Sequence, residues 1–233
     1  MAIAHPLDNP FWVALHDLHG DLALHAGEVL RYPADIAPFL GIADADVAMD
    51  DALDILLPAG DTTLMLGVAP ATLSSRWQLA PLETLAQMES RAPMPVIDGP
   101  AIVPLVDAAQ QADVLDLTTL VYPHYFRPRT MALGRYFGIY LEDGEGRPQL
   151  AAMIGERLGA QGFRELSAIC THPGFTGRGL ARRLTAWLNN RLLDEGRQPF
   201  LHVSHRNVRA KSLYEAMGFT TRRDLPFWAL RRA

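Results

Sequence analysis

The residues with the clearest chemical potential are Gly174-Phe175-Thr176-Gly177-Arg178-Gly179-Leu180-Ala181. They stand between a strand-like run, Phe163 to Thr171, and a long amphipathic helix pattern. Glycines let backbone N–H groups converge on an anion, and a helix start adds partial positive charge at the same point. The stretch is therefore expected to hold phosphate. A Walker loop is excluded: Gly174 and Gly179 have its spacing, but Leu180-Ala181 follow where lysine and a hydroxyl residue are required. A dinucleotide fingerprint read from Gly177 needs a third glycine where Arg182 stands.

A third class fits. Thr171 to Leu184 resembles the CoA-pyrophosphate loop of GNAT acetyltransferases, whose pattern is Arg or Gln, two residues, Gly, one residue, then Gly or Ala. Gly179 and Ala181 fill the small positions, while Thr176 replaces the usual Arg or Gln. Asn207-Val208-Arg209-Ala210-Lys211-Ser212-Leu213-Tyr214-Glu215-Ala216-Met217-Gly218-Phe219 is similar to that family's Asn-x-x-Ala-x-x-x-Tyr-x-x-x-Gly-Phe segment, in the right order and at the right distance. The likeness covers about residues 100–233. It is nearest to a branch with a long N-terminal extension and a Phe-Leu-His-Val strand, here Phe200 to Val203.

The resemblance implies an α/β (α+β) chain with a central, mixed, mostly antiparallel sheet flanked by helices. It implies acetyl-CoA as co-substrate and a small-molecule or peptide amine as acceptor. Backbone groups of Ile169, Cys170 and Thr171 would pair with the pantetheine arm. Thr176, Gly177, Arg178, Gly179, Leu180, Ala181 and Arg182 would surround the pyrophosphate, and Arg183 could add charge. Asn207 would bond to the CoA arm, although a plain helix cap explains it as well. Tyr214 would protonate the departing sulfur; the bland alternative is a core tyrosine on the apolar face of its helix.

Such chemistry also needs a base for the amine and a donor to the thioester oxygen. Strict alternation puts Glu165, Ser167, Ile169 and Thr171 on one face and Leu166, Ala168 and Cys170 on the other. Glu165 is thus the candidate base, with Glu156 on the neighbouring strand in reserve. Cys170 reads as a small core residue. His202 and His205 lack the paired spacing of a zinc helix, so no metal is expected. The aromatic run Tyr122-Pro123-His124-Tyr125-Phe126 is a candidate wall of the acceptor pocket. The rival function is a non-catalytic acyl-CoA-binding regulatory module. An enzyme acting on protein N-termini or lysines is a third reading.

The elements that must position these residues are legible in the C-terminal half. Strands are expected at 102–105, 136–141, 150–157, 163–171, 199–203 and near 220–221 and 227–230, with helices over 107–120, from 180 to near 196, and after Asn207. Leu180, Leu184, Trp187, Leu188 and Leu192 make one stripe of the second helix. Before residue 96, Ile55-Leu56-Leu57 and Leu64 to Val68 are expected strands, and Leu82 to Met88 a short helix. The breakers Ala92-Pro93-Met94-Pro95 suggest a boundary, with residues 1–95 as an N-terminal domain, a degenerate second copy of the fold, and 96–233 as the transferase domain.

Charge divides at the same place. Residues 1–100 carry 14 acidic residues against 3 arginines, and residues 101–233 carry 12 against 18 basic ones. The basic part suits a polyphosphorylated ligand and the acidic part a cationic one. No apolar run is long enough to span a bilayer, one cysteine forms no internal disulfide, and Met1 to Pro6 do not read as a signal peptide. The expectation is a cytoplasmic protein with no membrane partner. Nor is a nucleic-acid partner expected, since no binding module accompanies the arginines.

Overall fold

The computed structural model describes residues 5–121 and 125–233. Two sheets organise the chain. The smaller has three antiparallel strands, β1 (Leu24–Ala26), β2 (Val29–Arg31) and β3 (Leu40–Ile42). The larger has eight: β4 (Thr62–Leu66), β5 (Trp77–Glu89), β6 (Val103–Pro104), β7 (Tyr136–Glu142), β8 (Pro148–Ala160), β9 (Phe163–Thr171), β10 (Gln198–Ser204) and β11 (Thr220–Arg232). Their spatial order is β4-β11-β5-β10-β9-β8-β7-β6. β9 and β10 run parallel, and the remaining neighbours run antiparallel. Among the described residues the α-helices are α1 (Pro10–Val13), α2 (Asp50–Leu56), α3 (Ala108–Val121), α4 (Leu180–Asp194) and α5 (Val208–Ala216).

Helices cover both faces of the large sheet. On one, Leu184, Leu188 and Leu192 of α4 pack against Ala152, Ile154, Leu166 and Leu201, with Tyr214 of α5 in the same cluster. These three leucines are fully buried, each contributing about 1.5–3 kcal/mol of transfer free energy. On the other face, Val114 and Leu117 of α3 meet Met153 and Cys170. Beside α3, the N-terminal segment closes that face: Leu7, Phe11, Leu15, Tyr32 and Phe39 pack on Leu158, Phe200, Leu225 and Phe227.

Two expectations before residue 96 are corrected. Leu82 to Met88 is not helical but belongs to β5, held on both sides by β10 and β11. Ile55-Leu56-Leu57 is not a strand: it is the end of α2, whose Ala52, Leu53 and Leu56 are buried at helical spacing. The boundary at 95/96 falls within the large sheet rather than between two sheets, since β4 and β5 are part of it. From Val103 onward the expected strands and helices are present. The two short strands foreseen near 220 and 230 are one long strand, β11.

Candidate functional site

Parallel neighbours β9 and β10 pair at three positions, Phe163 with Gln198, Arg164 with Pro199 and Glu165 with Phe200. Beyond Glu165 the ladder stops and the two strands splay. Backbone donors and acceptors on the facing edges of 166–171 and 201–204 are thereby left for another partner. Both helices that follow these strands start from the open end of the splay. β9 leads through the glycine loop into α4, and β10 leads through Asn207 into α5.

The loop has the geometry of an anion cradle. Gly177 and Gly179 have φ of 78° and 73°, the left-handed region that disfavours side chains. Gly179 is the N-cap of α4 and supplies no side chain to it, so the first-turn N–H groups of Leu180, Ala181 and Arg182 have no capping partner. Arg178 and Arg182 are exposed beside them, Arg178 lying over the Phe175 ring at 5.1 Å. Arg183 is placed differently from expectation. Its guanidinium donates to the backbone carbonyls of Ile97 and Pro100, which ties the preceding segment to α4 and takes this charge away from the loop. The Thr176 hydroxyl donates to the Pro173 carbonyl at 3.2 Å, serving the turn itself.

Strict alternation fails along β9. Ala168 has φ 49°, and the register moves three residues on β9, Cys170 to Ser167, against two on β8, Met153 to Gly155. This is a β-bulge, which re-aims backbone and side chains at one point. Leu166 and Ile169 consequently share the α4 face, while Ala168 and Cys170 face α3. Cys170 is buried, and burial pushes its thiol up to about 12, so it is a core residue and not a nucleophile.

Glu165 does not sit as a base should. Its side chain is fully buried, and Arg157 donates to it twice, at 2.9 Å each. Leu158 N donates at 3.1 Å and His202 Nδ1 lies at 2.7 Å. Burial alone would raise its pKa, but the Arg157 charge and these hydrogen bonds outweigh it and hold the carboxyl far below the ordinary range. Such a group positions its neighbours. His202 is equally committed. Arg222 Nε donates to Gln87 Oε1 at 2.6 Å, which fixes Gln87 Nε2 as donor to Leu7 O at 2.8 Å and to His202 Nε2 at 2.9 Å. His202 Nε2 therefore accepts and its Nδ1–H donates to Glu165. The reserve candidate, Glu156, is paired with Arg135 and Arg164 and lies outside the splay.

A cavity of about 330 Å³ occupies the splay and passes through the sheet. Its wall on the α4–α5 side includes Leu201, Val203, Asn207, Ala210 and Tyr214, and that on the opposite side includes Phe11, Phe39, Leu66, Glu83, Tyr125 and Phe227. Tyr214 is buried against Phe219, at 5.9 Å between ring centroids. Asn207 Oδ1 caps α5 by accepting from Ala210 N at 3.2 Å. Of the aromatic run, Tyr125 lines the cavity, Phe126 packs edge-on against Tyr136 in the core, and Tyr122 to His124 lie outside the described residues. Glu83 and the phenyl wall were missed in the sequence, because nothing local marks strands or turns of the first 95 residues as facing a site.

Comparison with known proteins agrees with this geometry. A family model described as FR47-like protein matches residues 136–228. A crystal structure from Novosphingobium aromaticivorans, assigned to the GNAT acetyltransferase family, is 30% identical and superposes with a TM-score of 0.86. The match covers 98% of this chain and 99% of that one. The chain belongs to the GNAT superfamily. Two further GNAT-type structures share the fold at 15% identity. One, from Kribbella flavida, has a TM-score of 0.59 over 94% of this chain and 95% of its own; the other, from Streptococcus suis, has 0.56 over 95% and 92%. No curated protein sequence matches the chain. Among the described residues, no helix is long and apolar enough to cross a membrane and no cluster of His, Cys, Asp and Glu would hold a metal.

Proposed function

We propose that this GNAT protein transfers an acetyl group from acetyl-CoA to a primary amine by direct attack. The observation that carries the reading is the cavity through the splay, lined by residues from both faces of the sheet, with the anion cradle at the end of the strand that borders it. The pyrophosphate is assigned to the N-terminus of α4 and to Arg178 and Arg182. The pantetheine arm is assigned to the free edge of β9 at Ile169 to Thr171, where it supplies the ladder that β10 abandons. Backbone at the Ala168 bulge is the candidate donor to the thioester oxygen. No metal is assigned to the reaction.

In the reaction, the amine nitrogen attacks the thioester carbon to form a tetrahedral oxyanion. The nitrogen gives up its extra proton to solvent, the C–S bond breaks, the amide leaves, and the thiolate takes a proton. Tyr214 is assigned as the donor of that proton, because its ring lines the cavity between β10 and the CoA edge. Removing the hydroxyl with Tyr214→Phe should leave acetyl-CoA affinity within about threefold and lower kcat by about 100-fold or more. Thiol release against an amine panel measures the second quantity and calorimetry the first. Full turnover in the variant would remove Tyr214 from the mechanism. Acetyl-CoA binding with no thiol release above blank from any amine would instead identify a binding module.

A further inference from the structure

The cavity wall away from α4 and α5 carries a charge that the mechanism above does not use. Glu83 lies on β5 with Leu85 and Gln87 on the same face, and β11 places Phe227 directly opposite it. Among the described residues it has no cationic partner. One carboxylate oxygen, Oε2, accepts from the Ser204 hydroxyl; Ser204 Oγ in turn accepts from Arg206 N at 3.1 Å, so the hydroxyl hydrogen is directed at Glu83. The neighbouring polar groups lining the cavity are committed elsewhere, Arg157 to Glu165 and His202 to Glu165 and Gln87. The cavity also carries apolar and aromatic side chains: Phe11, Phe39, Leu66, Tyr125 and Phe227. The rings of Tyr125 and Phe227 lie 6.5 Å apart, and the Glu83 charge, after burial, helps to raise the Tyr125 hydroxyl above its ordinary range.

A part-buried carboxylate among aromatic side chains is stabilised by a cation, and aromatic faces favour the same partner. We infer that Glu83 is the acceptor-recognition residue, and that the acceptor is a small primary ammonium carried on an apolar, aromatic-sized body. The inference rests on the acetyltransferase reading and gives it a substrate class. The ammonium would donate to Glu83, which holds its nitrogen facing the thioester across the splay. A cavity of about 330 Å³, shared with the reacting end of the arm, is sized for a small molecule. The first 95 residues contribute Phe11, Phe39, Leu66, Glu83 and Leu85 to the cavity wall. The acidic N-terminal part thereby closes the acceptor end of the cavity and draws cations toward it.

The test is calorimetric titration of the CoA-loaded protein with hexylamine, 2-phenylethylamine and tryptamine, beside hexanol, 2-phenylethanol and tryptophol. Spermidine and glutamate serve as polar competitors. At least one apolar amine should bind about tenfold or more tightly than its matched alcohol, and Glu83→Gln should erase that difference while CoA affinity stays unchanged. Glu83→Asp should keep part of it. The amine–alcohol comparison needs no variant and stands even if a substitution disturbs folding. Equal binding of amine and alcohol, no binding by any apolar amine, tighter binding of spermidine or glutamate, or an amine affinity indifferent to Glu83→Gln would each overturn the assignment. Thiol release is read separately. Amine binding without release supports the amine site and defeats the transferase reading, whereas release indifferent to Glu83→Gln keeps the transferase and removes Glu83.

Discussion

Glu165→Gln is expected to cost about 3–5 kcal/mol of folding stability, the usual penalty for leaving one partner of a buried ion pair alone. The carboxylate is fully buried and receives two bonds from Arg157, whose side chain is only 16% exposed. A glutamine of the same shape turns an N–H₂ toward a guanidinium and leaves one of them unsatisfied. The loss should extend beyond the pair, because His202, Gln87, Arg222 and Asp8 continue the chain of bonds from β9 across β10 and β5 to the N-terminal segment. Glu165→Leu combined with Arg157→Met should recover the charge part of the loss, since neither leaves a buried charge, while the donors of His202 and Leu158 remain without their acceptor. Urea unfolding measures both. A catalytic base would give the opposite pattern, a fully stable Glu165→Gln protein without activity.

The pH dependence has a definite sign. Glu165 has a folded pKa below its unfolded value of about 4.3. Its contribution is present above the unfolded value and is lost as pH falls through the folded one. The stability gap between wild type and Glu165→Gln should therefore be level from about pH 8 to about pH 5 and shrink only in more acidic solution. A gap that closes near neutrality would contradict the assignment of Glu165 as a permanently ionised anchor.

Gly179→Val should weaken acetyl-CoA binding by roughly 10- to 100-fold, the loss expected when charge-assisted bonds to an anion are broken. An added Cβ at Gly179 meets nothing within 4 Å, so crowding is not the cause. The cause is φ 73°, which costs an L residue about 1–2 kcal/mol and more when the side chain is β-branched. Valine escapes that cost by moving the loop. The movement turns the first N–H groups of α4 away from their common focus, so affinity falls further than stability does. Unchanged affinity in a folded Gly179→Val protein would place the pyrophosphate somewhere other than α4.

The C-terminal half was readable because its signals are local. The leucine stripe of α4, the Asn207 cap and Gly218 after α5 depend on neighbours a few residues away. The N-terminal part was less readable for the same physical reason. β5 is a strand because β10 and β11, more than a hundred residues later, hold it on both edges, and its exposed outer part shows no clean alternation. Its separation from the transferase sheet was suggested by prolines at 93 and 95, which mark a connection and not an edge. Glu165 stands where the β9–β10 ladder ends, buried and paired with Arg157 and His202. Its partners come from β8 and β10, and no spacing rule joins Arg157 and His202 to it. Alternation along β9 was broken by the bulge at Ala168, where an ordinary alanine adopts a conformation that composition does not announce.

The most direct measurement is calorimetric titration of the purified chain with acetyl-CoA, beside S-acetylpantetheine, which lacks the diphosphate, and NAD and ATP, which lack the arm. Micromolar binding of acetyl-CoA is predicted, with S-acetylpantetheine about 100-fold weaker or more and the two nucleotides weaker still, because both the splay and the α4 N-terminus must be filled. Equal binding of S-acetylpantetheine would contradict the cradle. No binding of acetyl-CoA to folded protein free of copurified CoA would contradict the account as a whole.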